Sequence, residues 1–490
     1  MPEQSPLNKG ILKGAAFSIV ARWGVRFIGL INTVILARLL TPEDFGVAAM
    51  ATLVIGLLET LSEFGVVNLV IRSQDRSSAF VNTGWTLQVL QGIGIAVMLV
   101  LLAPLAVAYF EEPRLRAVLY VGALTVLFGS TKSIGVALAR KDLNYAADLR
   151  FLVASRVLVF AATVLIAFWE RSYWAIVLGG LIGTASATAL SYWMFNWRPK
   201  IDLTHSRIFL RFASAAIPSS LARFLTERTG ALVVGGTADA AKLGLFNTSI
   251  ELSNMATSEV VGPIERVLIP NYAKLSDRPE RLAHAFLYSV RLLVTIALPL
   301  SIGLSLVAQD FVLVLLGSQW KEAGELVQWL AIYAFATGMA QALTANLLVA
   351  LGREQLASVL YWARLMILAP IMTFAGLYIG VLAMTVAATA TSILLLPIAL
   401  LVATNNLQLN AWKVVASLWR QIAAVVTMSI AILSLPETLP GGAFGLLSKV
   451  VGGGMVYTTC LVGLWALAGR PDGVERDLVS ALLRMRRVRK

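Results

Sequence analysis

The amino-acid sequence predicts an all-α, polytopic membrane protein of about fourteen transmembrane helices, with two six-helix lobes and two extra C-terminal helices. Three observations carry this prediction: an apolar composition, a regular succession of long apolar stretches, and an internal repeat. Of the 490 residues, 58% are hydrophobic and only 14% are charged, whereas soluble proteins are about a quarter charged. Because nearly all of the chain is spent on spans, we expect no soluble catalytic domain.

Long apolar stretches follow one another with only short polar breaks between them. A helix needs roughly 20 apolar residues to cross about 30 Å of hydrocarbon. The start of the second span is well marked, since Thr41 is a suitable N-cap and Pro42 a suitable first helical residue. The predicted spans are 12–37, 44–66, 80–108, 115–139, 149–169, 173–195, 208–235, 243–269, 284–308, 323–350, 355–377, 379–403, 412–434 and 444–468.

The charge of the loops predicts the orientation. The chain has a net charge of +13, and its basic residues concentrate in alternate loops, such as those with Arg72 and Arg76 or with Arg140 and Lys141. By the positive-inside rule these loops face the cytoplasm. Both termini then lie in the cytoplasm and the number of spans is even. This topology explains the positive charge, so we expect no nucleic-acid partner.

The first twelve spans contain an internal repeat. Asp44–Val47 aligns with Lys242–Leu245, and Val136–Arg140 resembles Leu348–Arg353. Six spans separate equivalent elements, so both copies point the same way, as in transporters that rock two lobes about a central site. The predicted organisation is an N-lobe at 1–206, a C-lobe at 207–410, two further spans at 411–469 and a basic cytoplasmic tail at 470–490.

Ionisable residues inside the spans are the candidate site. A Lys or Arg at mid-bilayer costs roughly 2.5–3.5 kcal/mol on insertion scales and therefore marks function, unless it snorkels or forms an interhelical ion pair. Basic residues recur at comparable depth in spans 1 and 7, which predicts a positive cavity for a phosphate-bearing substrate. The candidate substrate-binding residues are Arg22, Arg26, Lys132, Arg223, Arg228 and Arg364, and the candidate ion-coupling residues are Glu59, Glu227, Glu251 and Glu259.

Metal, nucleotide and disulfide chemistry are not predicted. Cys460 is the only cysteine, and His205 and His284 lie apart in polar loops, so neither a disulfide nor a metal cluster is expected. No G-x-x-x-x-G-K-[ST] phosphate-binding loop is present. We therefore expect no cofactor and no enzymatic activity.

Two segments resemble a known family. Leu39–Ala51, with Glu63–Gly65 and Ile71–Arg72 after it, resembles the second-helix region of bacterial polysaccharide flippases, and Ala137–Tyr145 resembles a second signature. These are the Wzx-like polysaccharide transporters of the MOP superfamily, which also contains the MATE exporters and the lipid II flippase. The resemblance implies a MOP/MATE-like V-shaped pair of lobes with spans 1, 2, 7 and 8 lining the cavity.

The resemblance also implies a function in cell-surface polysaccharide biosynthesis, such as that of lipopolysaccharide or exopolysaccharide. Its cargo is a polyprenyl-pyrophosphate-linked oligosaccharide, which passes from the cytoplasmic to the periplasmic leaflet of the bacterial inner membrane. Implied partners are membrane lipids and polysaccharide polymerase or export proteins. Comparison with the lipid II flippase implies that arginines of the first and the seventh-to-eighth helices hold the pyrophosphate, and Arg22, Arg26, Arg223 and Arg228 lie on comparable helices.

Three alternatives are open to the sequence. A MATE-like exporter of organic cations requires an acidic cavity, whereas the predicted cavity is basic. A membrane polysaccharide polymerase or ligase typically carries a long periplasmic loop with catalytic side chains, and every predicted outer loop is short. An inert scaffold has no need of arginines inside its spans.

Overall fold

The computed structural model describes residues 24–62, 65–142, 144–435, 442–477 and 480, and these residues contain helices and no strands. The helices are α1 (24–39), α2 (Pro42–Leu61), α3 (Val66–Arg72), α4 (Ser78–Phe110), α5 (Leu115–Ser130), α6 (Gly135–Lys141), α7 (Tyr145–Glu170), α8 (Trp174–Met194), α9 (Ser206–Thr237), α10 (Ala240–Leu275), α11 (Pro279–Leu306), α12 (Ala308–Leu315), α13 (Lys321–Leu343), α14 (Ala345–Ala350), α15 (Glu354–Tyr378), α16 (Val381–Asn406), α17 (Ala411–Ala416), α18 (Trp419–Leu433) and α19 (Ala443–Leu467).

The predicted all-α membrane fold is confirmed. Each predicted span from the second onward corresponds to one helix or to two consecutive helices, and the first corresponds to α1 as far as it is described, from residue 24. Among the described residues, nine helices are long and apolar enough to cross a membrane, and ten if the bent pair α5–α6 is one span. The more charged α9 and α10 and the partly described α1 are not among them. The count of fourteen spans is compatible with this architecture.

In the first half of the chain, two predicted spans are interrupted where the sequence pattern showed continuous helix. Helix α2 ends at Leu61, before the predicted end of the second span at residue 66, and α3 follows Gly65, whose φ of 57° lies in the left-handed region that favours glycine. The fourth span divides into α5 and α6, with a bend of 51° between their axes. Short polar runs stand at both interruptions, Ser62 and Glu63 at the first and Ser130–Ser133 at the second, but runs this short did not separate the apolar stretches on either side.

The chain forms two compact units, Met1–Gly244 and Leu245–Lys490. Helix α9 belongs to the first unit by its packing. The predicted lobe boundary at residues 206/207 was drawn from the internal repeat, whereas the two compact units are defined by contacts between residues. The lobe boundary therefore stays a prediction. The order of elements supports the repeat, since a long helix, a two-part helix and two further long helices follow one another in each unit: α4, α5–α6, α7 and α8 in the first, and α11, α13–α14, α15 and α16 in the second.

Glycines bring helices of the first unit into close contact. A Cβ at Gly46 would stand 1.7 Å from the carbonyl oxygen of Ala240, and a Cβ at Gly244 would stand 1.8 Å from the carbonyl oxygen of Pro42. The contact is therefore reciprocal between two glycines that are equivalent in the repeat. Farther along α2, a Cβ at Gly56 would stand 3.1 Å from the Phe224 ring of α9. Small residues at such positions allow membrane helices to pack backbone to backbone.

An ion cluster joins the loops at the predicted outer end of the first unit. The predicted cap is confirmed, because Thr41 and Asp44 form a reciprocal capping box at the start of α2. Arg114 donates to Glu112 Oε1 from Nε at 2.8 Å and to Glu43 Oε1 from Nη2 at 2.5 Å. The hydrogen bonds from the Arg114 side chain hold the pKa of Glu112 below its usual value. Glu112 itself is buried.

In the second unit, a buried polar cluster fixes the segment after α19. Arg420 of α18 donates to Glu475 Oε1 at 2.9 Å, and Gln421 donates to the same oxygen at 3.2 Å. Tyr457 of α19 donates to the carbonyl of Thr295 in α11 at 2.7 Å. These contacts attach the two extra C-terminal helices to the rest of this unit.

The glycine contact yields a first prediction. Gly46→Ala should lower the free energy of unfolding by about 1–3 kcal/mol. The added methyl group would overlap the backbone carbonyl of Ala240, which cannot rotate away as a side chain can. Thermal unfolding of the purified protein in detergent measures the change. The matched control is Gly94→Ala on α4, where an added Cβ meets nothing within 4 Å. Equal stability of the two variants would contradict the close contact.

The ion cluster yields a second prediction. Because the folded-state pKa of Glu112 is lowered, its contribution to stability is present above the ordinary glutamate pKa of about 4.3 and is lost as the pH falls through the lower folded value. Arg114→Ala should therefore destabilise the protein at pH 7, by about 1 kcal/mol after screening by solvent. The difference from wild type should shrink at acid pH. Arg116→Ala, an exposed neighbour, is the control, and a difference that is independent of pH would argue against the mechanism.

Candidate functional site

A cavity lined by charged, polar and apolar side chains lies within the first unit. Its volume is about 900 Å³, within the range of about 300–1,000 Å³ typical of ligand sites. Residues of α2, α4, α5, α6, α7, α8 and α9 line it. The packing of α9 within this unit therefore brings the seventh predicted span to the cavity wall.

Of the residues that the structure describes, five with charged side chains line the cavity: Glu59, Lys132, Arg140, Glu227 and Arg228. Arg140 forms an ion pair with Asp148, Nε to Oδ1, at 2.8 Å. Within the described residues no carboxylate lies within 4.0 Å of Lys132 or Arg228. The cavity thus has three basic and two acidic side chains, and two of its cations are available to a ligand.

The contact between Gly56 and Phe224 positions three of these side chains. Helices α2 and α9 run antiparallel, since Gly56 of α2 meets Phe224 whereas the later Gly65 meets the earlier Phe212. Glu59 follows Gly56 by one turn, and Glu227 and Arg228 follow Phe224 by one turn. Because each turn advances about 5.4 Å, Glu59 lies at a different depth from Glu227 and Arg228, and charges are spread along the cavity axis.

Lys132 comes from the interruption between α5 and α6. Its side chain is half-buried, and its Nζ lies 6.0 Å from the ring centroid of Phe151. Phe151 is 5% exposed and also lines the cavity. A cation held against an aromatic face stays available to an anion.

Uncharged polar side chains form much of the remaining wall. Gln88 and Gln91 lie on α4, Ser155 on α7 and Thr184 on α8. The Ser155 hydroxyl is buried and has no hydrogen-bond partner among the described residues. Amides and hydroxyls of this kind donate to and accept from the hydroxyl groups of sugars.

The structure brings together four of the ten predicted site residues: Glu59, Lys132, Glu227 and Arg228. Arg26 of α1 and Arg223 of α9 are described but do not line this cavity, and Arg22 lies outside the described residues. In the second unit, Arg364 lines a separate and mostly apolar cavity of about 140 Å³. Glu251 lies exposed on α10. The side chain of Glu259 is outside the described set.

Sequence reasoning missed Arg140 and the uncharged polar wall. Arg140 had been assigned to a cytoplasmic loop, whereas it lies in α6, after the bend, and reaches the cavity. Its presence in the family-like segment Ala137–Tyr145 was the available signal. Gln88, Gln91, Ser155 and Thr184 carry no charge, so nothing distinguished them from ordinary polar residues in a span.

The arrangement suits binding better than bond cleavage. A cation on an aromatic face and an unpaired guanidinium bind phosphate oxygens through charge-assisted hydrogen bonds. In the described residues, no group of three or more His, Cys, Asp or Glu side chains is placed to hold a metal ion.

Comparison with known proteins identifies the family of this chain. The family described as "Polysaccharide biosynthesis protein" matches residues 35–325. The lipopolysaccharide biosynthesis protein WzxC of Escherichia coli (strain K12) is 27% identical over 332 residues, which cover 66% of this chain and 67% of WzxC. The succinoglycan biosynthesis transport protein ExoT of Rhizobium meliloti (strain 1021) is 21% identical over 326 residues, 66% of each chain.

Solved structures show the same fold. The lipid II flippase MurJ in an inward closed conformation matches with a TM-score of 0.74 at 12% identity, over 95% of this chain and 100% of MurJ. An inward-facing MATE family multidrug transporter of the MOP superfamily matches with a TM-score of 0.61 at 13% identity, over 80% of this chain and 98% of that one. The resemblance predicted from sequence is thereby confirmed. Since the family match spans more than half of the chain, the protein belongs to the polysaccharide biosynthesis protein family and has the fold of the MOP superfamily.

Proposed function

We propose that the protein moves a polyprenyl-pyrophosphate-linked oligosaccharide from the cytoplasmic to the periplasmic leaflet of the bacterial inner membrane for cell-surface polysaccharide biosynthesis. The relatives support this: WzxC is named for lipopolysaccharide biosynthesis and ExoT for succinoglycan transport. MurJ, which shares the fold, is named a lipid II flippase. We propose that both termini lie in the cytoplasm, as the distribution of basic residues among the loops indicates.

The observation that carries the proposal is the cavity of about 900 Å³ with unpaired cations inside apolar helices. A Lys or Arg at the centre of a membrane-spanning helix costs roughly 2.5–3.5 kcal/mol on insertion. Lys132 and Arg228 form no ion pair with another described residue, so no ion pair of this kind offsets the cost. A ligand phosphate supplies the missing partner when the cargo binds.

The cavity offers complementary chemistry to the two polar parts of such a cargo. Lys132, Arg228 and the nearby Arg140 are the proposed contacts for the diphosphate. Gln91 and Thr184 are among the wall residues proposed to bind sugar hydroxyls. The prenyl chain stays in lipid. Arg22, Arg26, Arg223 and Arg364 remain candidates for contacts at other stages of transport.

Alternating access is the proposed mechanism. The cavity opens to the cytoplasm to receive the diphosphate and sugars, and a rocking motion then exposes them to the periplasm. Glu59 and Glu227 line the same cavity, and we propose them as the residues that bind a coupling cation or proton. Glu251 and Glu259 are further candidates. Membrane lipids and polysaccharide polymerase or export proteins are the proposed partners.

The rival functions fit less well. A MATE-like exporter of organic cations would place its cargo beside three basic side chains, which would repel it. A polymerase or ligase would need catalytic groups on an outer loop, and the described loops between the long helices are short. We propose that the protein is a transporter and not an enzyme.

Loss of the cavity cations tests the proposed function. In a strain without the native gene, Lys132→Ala or Arg228→Ala should each lower polysaccharide export about tenfold, since a charge-assisted contact contributes about 1.5–3 kcal/mol. Lipid-linked oligosaccharide should accumulate on the cytoplasmic side and can be measured by mass spectrometry of lipid extracts. Lys200→Ala, which removes an exposed loop lysine, is the control. Full export by the double variant at normal expression would refute the cationic site.

Water access to the cavity is a separate prediction. In a Cys460→Ser background, the Thr184→Cys variant should react with an anionic, membrane-impermeant methanethiosulfonate at least about tenfold faster than Leu165→Cys, because thiol modification requires a hydrated thiolate. Thr184 lines the cavity, whereas Leu165 on α7 is 70% exposed on an apolar face. Equal rates would mean that the cavity is dry.

A further inference from the structure

Side chains from two neighbouring helices form hydrogen bonds with the backbone at the interruption of the fourth span. Between α5 and α6, residues 131–134 leave the helix, which frees carbonyl and N–H groups at membrane depth. In hydrocarbon every such group must be satisfied within the protein, at a cost of several kcal/mol if it is not. The structure shows where these groups find their partners.

The freed carbonyls accept hydrogen bonds from α4 and α8. Gln88 Nε2 donates to the carbonyl of Ser130 at 2.8 Å. The Tyr192 hydroxyl and the Trp85 indole both donate to the carbonyl of Thr131, at 2.6 and 3.5 Å.

Two further hydrogen bonds join α8 to this backbone. Thr188 Oγ1 of α8 donates to the carbonyl of Phe128 at 2.8 Å. The N–H of Ser133 donates to Ser191 Oγ at 3.0 Å, and Ser191 is fully buried. The interruption is therefore bound on both sides and has a fixed shape, so it is not a loose joint.

The described residues of the second unit show no such construction. At the equivalent place, α13 and α14 are separated by the single residue Thr344 and together form one apolar span, Ser318–Ala350. The Thr344 hydroxyl donates within its own helix, to the carbonyl of Ala340 at 2.7 Å. An interruption like that of the first unit is therefore not a requirement of the repeated order of helices. The interruption in the first unit is also distinguished by a charged residue, Lys132.

We propose that Trp85, Gln88 and Tyr192 are positioning residues that hold the interrupted fourth span so that Lys132 presents its ammonium to the diphosphate of the cargo. This inference rests on the proposed function and assigns roles to three residues that do not themselves carry charge. Tyr192 makes the shortest of the three hydrogen bonds, to the carbonyl that directly precedes Lys132. Removing its hydroxyl changes the placement of Lys132 and not the charge of the cavity.

A double-mutant cycle tests the proposal. The full-length protein in lipid nanodiscs is titrated with a sugar-free polyprenyl diphosphate and, separately, with the matching polyprenol. Lys132→Met should weaken diphosphate binding about tenfold, and Tyr192→Phe about threefold, as expected for one charge-assisted contact and for a neutral hydrogen bond. The double variant should bind no more weakly than Lys132→Met alone, because Tyr192 acts through Lys132. Polyprenol binding should not change in any variant.

The controls separate positioning from a general loss of structure. Tyr120→Phe removes a hydroxyl from an exposed tyrosine of α5 and should leave binding unchanged. Gln88→Leu should behave as Tyr192→Phe does, which provides a second variant if one of the two folds poorly. Lys132→Arg should retain most of the binding. Multiplying effects in the double variant, or equal losses of polyprenol binding, would overturn the positioning role while leaving the flippase function intact. Wild-type protein that binds no diphosphate would instead refute the proposed function.

Discussion

Hydrocarbon satisfies no hydrogen bonds, and this constraint governs the structure. Long helices satisfy their own backbone, so most of the chain needs no polar partner. Between α5 and α6 the chain is not helical, so its backbone groups lose their helical hydrogen-bond partners. Five side chains of α4 and α8 replace those partners: Trp85, Gln88, Thr188, Ser191 and Tyr192. Irregular backbone at membrane depth is tolerated where it lines a cavity, and a cavity of about 900 Å³ lies at this place.

Close helix packing arranges the charges around that cavity. Gly56 allows the Phe224 ring to approach α2, and the helical repeat then fixes Glu59 on one side of this contact and Glu227 and Arg228 on the other. Apolar packing thereby sets the spacing of charges that themselves form no ion pair in the described part of the chain. A charged side chain within a membrane span is costly to insert and usually faces a cavity or a partner, which is consistent with a role in binding cargo.

The two units share an order of elements but not a site. Both have a two-part helix followed by two long helices. In the first unit, residues 131–134, which include Lys132, separate α5 from α6, and the two helices are bent by 51°. In the second unit, a single threonine separates α13 from α14. Arg364 of the second unit lines only a narrow cavity of about 140 Å³. Of these two divisions, the one in the first unit carries a charged residue that lines a cavity, within the described residues.

The sequence by itself determined the membrane fold, the approximate spans, the capped start of α2 and four cavity residues, Glu59, Lys132, Glu227 and Arg228. These follow from local rules, because hydrophobic length, capping chemistry and the cost of charge in lipid act on neighbouring residues. Only the tertiary structure decided that α5 and α6 are bent apart, that Arg140 reaches the cavity, and that Arg26 and Arg223 do not line it. Those outcomes depend on which helices pack together and on hydrogen bonds from Gln88 and Tyr192, more than forty residues away in sequence, and no local pattern encodes them.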